Sequence, residues 1–152
     1  MFEVKIDIQN LGEFEKSIDK NLLIALDKIG MYLQAETIKK TPIDLGQLRS
    51  SIKYTIIPSE MAVYVGSDVE YAEFLEYGTK PHVVPLKAIE PWAKRHGLNP
   101  WAVKKSIEKK GMKSGTPASP FLSAGNTYRP FLRSTMFQSK PEVIEIVKRE
   151  IE

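Results

Sequence analysis

Between residues 12 and 39 the apolar positions recur at spacings of three and four: Phe14, Ile18, Leu22, Ala25, Leu26, Ile29 and Leu33. That period is one apolar stripe along an α-helix. At 1.5 Å per residue the run spans about 40 Å, long enough to be the spine of a small domain. Thr41-Pro42 ends it, because the residue before a proline avoids helical angles.

The flanking segments have a different period. Phe2, Val4, Ile6 and Ile8 alternate with Glu3, Lys5 and Asp7, the pattern of a half-buried strand. Ile52, Tyr54 and Ile56 alternate, Pro58-Ser59 turns the chain, and Met61, Val63 and Val65 alternate again. Strands are therefore expected near 51–57 and 61–67, paired as a hairpin. Residues 48–51 read either as one helical turn or as the entry to the first of these strands. Residues 70–77 predict a short helix with Tyr71, Phe74 and Leu75 on one face and Gly78 closing it. Beyond residue 83, Pro85, Pro91 and Pro100 punctuate two helical pieces, about 85–96 and 100–110. Residues 110–128 are rich in Gly, Ser, Pro and Thr and predict an exposed, mobile loop. A last helix is expected with Pro141 in its first turn and Val143, Ile144 and Val147 on its apolar side.

These elements predict an α+β fold: a small, mainly antiparallel sheet packed on one long N-terminal helix, with further helices in the second half. With 152 residues and 42% hydrophobic residues, one domain is expected over 1–152. Its scaffold is residues 1–82 and 129–152, with a helical and loop insertion at about 83–128. The chain has no cysteine, which excludes a disulfide framework, thiolate metal sites and cysteine nucleophiles. No apolar run approaches the roughly 20 residues of a membrane span. The first ten residues lack a signal-peptide core, so no membrane association or secretion is expected.

Charge is unevenly placed. Residues 1–79 carry net −5, residues 80–115 net +7, and the rest net +1. Lys94, Arg95, Lys104, Lys105, Lys109 and Lys110 are the basic surface candidates. They fit a nucleic-acid contact, or a face complementary to the acidic half of another copy, or a solvated lysine-rich helix.

Catalytic patterns are missing. His82 and His96 stand in different elements without an i, i+4 partner, and His96 suits a helix end. Asp68, Glu70, Glu73 and Glu76 lie near Lys80 but lack the spacing of a metal-dependent nuclease; Glu73 and Glu76 read as a solvated helix face. No phosphate-binding glycine loop, nucleophile elbow or zincin motif occurs. No enzyme activity, cofactor or metal is expected. Trp92, Trp101, Phe131 and Phe137 read as core aromatics, with base stacking as the alternative.

Three segments together resemble a known family. TPIDLGQLRSSI follows the long helix, VGSDVEYAEFLEYGTKPH follows the hairpin, and RPFLRSTM opens the C-terminal part. Their order is similar to the tailed-phage head–tail connector and tail-completion family typified by the tenth gene product of a lambda-like siphophage. Thr41, Pro42, Asp44, Gly46, Leu48, Arg49, Ser51 and Ile52 fall in the first motif. Tyr71, Ala72, Glu76, Gly78 and Thr79 fall in the second, and Pro130, Phe131, Leu132 and Arg133 in the third. A second Pro-Phe-Leu run at 120–122 competes for the third role. The residues themselves read as structural: Pro42 stops a helix, Gly46 permits a turn, Asp44 caps the turn at 47–49, and Thr79 bonds nearby backbone. The resemblance implies a non-enzymatic virion assembly protein that oligomerises, as a ring, at the neck. Its partners would be copies of itself and the phage connector and tail-tube proteins, with at most a weak nucleic-acid contact. It would occupy the virion, and the host bacterial cytoplasm during assembly.

Overall fold

A computed structural model describes residues 2–7, 17–112 and 130–151. The described residues divide into two compact units, residues 1–70 with 131–152, and residues 71–130. The fold is α+β, as the periodicities predict.

The first unit is built on strand β1 (Phe2–Asp7), helix α1 (Ser17–Lys40), the short helix α2 (Gln47–Ser51), and strands β2 (Ile52–Ile57) and β3 (Ala62–Ser67). β3 is the centre of a three-stranded sheet and pairs antiparallel with both neighbours. Val65 stands opposite Val4 on one side and Tyr54 on the other. A 3-10 turn at Pro58–Glu60 joins β2 to β3 and leaves Met61 at φ 47°. α1 packs on β2 and β3. Ala25, Leu26, Ile29 and Leu33 are fully buried, while Leu22 of the expected stripe is only half-buried, one turn nearer the helix start.

The contact is close because of one residue. A Cβ on Gly30 would lie 2.2 Å from the Tyr54 ring, so the tyrosine seats on bare helix backbone. Its hydroxyl donates to Asp27 at 2.8 Å, and Gln34 donates to the Ile52 carbonyl at 2.7 Å. These two bonds fix the slide of α1 along β2. Hydrogen bonding to Asp27, then burial, holds the Tyr54 phenol above its usual pKa.

The final helix, α6 (Phe131–Ile151), completes this unit by packing along α1 and reaching β1. Here the expected boundary is corrected. Pro141 does not start a helix; it lies inside one that begins at Phe131. Pro141 and Phe137 are both exposed, so the carbonyl that proline leaves without a donor faces solvent. Thr135 and Ser139 are buried on the opposite side.

The second unit holds helix α3 (Ala72–Tyr77) and the pair α4 (Leu86–Arg95) and α5 (Pro100–Lys110). α4 and α5 form an αα-hairpin around Ile89, Ala93, Val103 and Ile107. Asn99 caps α5, accepting from the Trp101 and Ala102 amides, and Pro100 occupies the first turn. His96 donates its amide to the Trp92 carbonyl and stacks its ring on Trp92 at 4.5 Å. Residues 113–129, and with them the expected loop and the Pro-Phe-Leu run at 120–122, lie outside the described residues.

Candidate functional site

The first motif makes a corner in the first unit. α1 ends at Thr41, whose amide and hydroxyl both donate to the Thr37 carbonyl, at 2.9 and 2.7 Å. Arg49 Nε in turn donates to the Thr41 carbonyl at 3.0 Å. Gly46 stands at φ 83°, where an L side chain is strained, and starts α2. Gly46 is the N-cap of α2, which is a single helical turn. Leu48 and Ser51 point inward.

Ser51 is the knot of this corner. Its hydroxyl donates to the Leu48 carbonyl at 2.8 Å and lies 2.6 Å from the Ser67 hydroxyl. Ser67 Oγ also accepts from the Val69 amide at 3.1 Å. Both serines are buried, so the pair satisfies polar groups that would otherwise be orphaned. Ser67 carries no signal in the sequence; only the β2–β3 register, which sets Ile52 opposite it, brings it to Ser51. Between the tied ends, Ile43 and Leu45 project, Leu45 at 74% exposure.

In the second unit, Tyr71 is the N-cap of α3 and Gly78 its C-cap at φ 79°. Glu76 is fully buried, which corrects its reading as a solvated charge; Glu73 is exposed. Thr79 does bond backbone, but at a distance in sequence. Its amide donates to the Met112 carbonyl at 2.6 Å, and its hydroxyl accepts from the Met112 amide at 3.1 Å. This clasp ties the end of α5 to the chain just after α3. Gly111 permits it: at φ 67°, a Cβ there would fall 2.0 Å from the Thr79 carbonyl oxygen. His82 sits beside the clasp, with Nδ1 2.8 Å from the Lys80 carbonyl and 3.3 Å from the Thr79 hydroxyl.

The third motif opens α6. In the first unit Phe131 and Leu132 are fully buried and Arg133 is exposed; Pro130, the last residue of the second unit, is half-buried. Of the four expected core aromatics only Phe131 is fully buried. Trp92 is partly buried against the hairpin core, whereas Trp101 is 65% and Phe137 77% exposed. Both exposed rings lie on the polar side of a helix whose apolar side is already filled. Phe137 carries the Lys140 ammonium 4.8 Å from its ring centre.

The basic candidates divide. Lys94 pairs with Glu90 at 2.8 Å, and Lys104 pairs with Glu108 one turn on. Lys105, Lys109 and Lys110 are exposed and make no ion pair among the described residues. No group of three or more His, Cys, Asp or Glu among the described residues could hold a metal. No helix among them is long and apolar enough to cross a membrane.

The motif residues thus form a set of corners that hold the chain's turns. Comparison with protein families gives the same direction. Residues 8–78 match the HK97-gp10-like family. That family is described as "Bacteriophage HK97-gp10, putative tail-component". The HK97-gp10-like segment takes in the long helix, the hairpin and the first motif, and it ends at Gly78 inside the second. No curated protein and no solved structure matches the chain. The match supports a structural role in a phage tail, and with it a place in the virion.

Proposed function

We propose that this chain is a head–tail joining, or tail-completion, subunit of a tailed phage or prophage. It works without catalysis, in the host cytoplasm during assembly and then in the particle. It oligomerises, as a ring, at the neck between the head connector and the tail tube. The HK97-gp10-like match over residues 8–78 carries this reading. The local chemistry supports it. Thr41, Arg49, Ser51 and Ser67 spend their hydrogen bonds on one another and on backbone, leaving an apolar tip at Ile43 and Leu45 for contact. A nucleic-acid module is the weaker reading, because Lys94 and Lys104 are already held by Glu90 and Glu108.

Disruption of the gene in the phage or prophage that carries it tests the proposal. Electron microscopy of the lysate should find filled heads and tails that are not joined, with infectivity restored by the gene in trans. Joined, infectious particles from the disrupted strain would contradict it.

A further inference from the structure

Two exposed helix faces in the second unit carry complementary chemistry. On α3, Glu73, Phe74 and Tyr77 are exposed, Phe74 at 50%, and Glu70, the last residue of the first unit before the helix, is exposed too. Neither Glu70 nor Glu73 has an ion pair among the described residues. On α5, Trp101, Lys105 and Lys109 stand at i, i+4 and i+8, so they form one outward stripe about 12 Å long. An exposed tryptophan followed by two exposed lysines complements two exposed aromatic rings preceded in the chain by two exposed carboxylates. Tryptophan and tyrosine are also the residue types that dominate interface energy.

We infer that α3 of one copy docks on α5 of the next. The inference rests on the reading of the chain as a self-assembling subunit and names the surfaces that assemble. The two faces differ, so the contact is heterologous: each copy offers α3 to one neighbour and α5 to the other. Repetition of that contact closes a ring when the rotation per copy allows it. The rings of Phe74 and Trp101 supply the water-excluded centre. Glu70, Glu73, Lys105 and Lys109 supply the attraction and reject α3–α3 or α5–α5 pairing, in which like charges would meet.

The absence of cysteine makes the contact directly testable. Glu73→Cys and Lys105→Cys chains, prepared separately, mixed and oxidised, should give a disulfide-linked dimer that neither variant gives alone. In a second measurement, sedimentation of the Lys105→Glu/Lys109→Glu chain should show self-association weakened by at least about tenfold. Mixing it with the Glu70→Lys/Glu73→Lys chain should restore association. If the unmodified chain stays monomeric throughout a concentration series and no cross-link forms, the self-assembly reading itself fails. If it associates but the cross-link is absent and charge reversal has no effect, only the α3–α5 assignment fails. Capture of duplex DNA at physiological salt that depends on Trp101 and Lys105, without the cross-link, would assign α5 to nucleic acid and overturn the inference.

Discussion

Gly111 and Thr79 show how much one residue can decide here. The clasp between Thr79 and Met112 exists because the chain at 111 has no Cβ. Gly111→Ala should therefore cost more than backbone strain alone. Backbone strain at φ 67° and ψ −169°, a region that essentially only glycine occupies, accounts for about 1–3 kcal/mol, and the 2.0 Å clash with the Thr79 carbonyl must break the clasp in addition. Hydrogen exchange at the Thr79 and Met112 amides should accelerate in this variant. Gly46→Ala supplies the comparison, since that glycine has φ 83° with nothing within 4 Å of the added methyl. It should lose only the strain. Equal losses at both positions would show that the clasp contributes nothing. The sequence carried part of this. The helix expected at about 100–110 is α5, and the structure makes Gly111 its C-cap. It did not show what Gly111 touches, because Thr79 is 32 positions away and no local period encodes that approach. Ser51 and Ser67 are the same case: one is in a motif, the other is found only through strand register.

At the scale of elements, periodicity was the reliable guide. The stripe on α1 predicted Ala25, Leu26, Ile29 and Leu33 as core, and each is fully buried. Leu26→Ala should lower unfolding stability by about 2–5 kcal/mol in chemical denaturation. Met31→Ala, on the exposed side of the same helix, should change it by less than about 0.5 kcal/mol. Comparable losses at the two positions would mean that the stripe is not what the fold buries. The hairpin and the two α4–α5 helices were equally legible, because alternation and proline punctuation are local signals. α6 was not. Pro141 looks like a first-turn residue, yet it sits on the solvent side, where one lost hydrogen bond is tolerable and the packing of Phe131, Val143 and Val147 carries the helix through. Trp101 and Phe137 are exposed for a related reason: an aromatic at helical spacing looks like core unless the other face is known to be full.

At the scale of the whole molecule, the uneven charge is the property that no local element explains. Net −5 before residue 80 and net +7 over the following 36 residues would be an odd choice for a merely solvated surface. Ion pairs within helices, such as Lys94–Glu90 and Lys104–Glu108, absorb part of the positive charge, and Lys105, Lys109 and Lys110 stay exposed with no ion pair among the described residues. The HK97-gp10-like match over residues 8–78 supports a phage structural role. The proposed neck role assigns this chain one position in the particle. Immunogold labelling of purified virions, with antibody raised against this chain, reads that position. Gold is expected at the junction of head and tail, on disassembled particles if the intact neck shields the epitopes. Gold confined to the capsid shell or the distal tail tip, or virions that contain none of the protein, would contradict it.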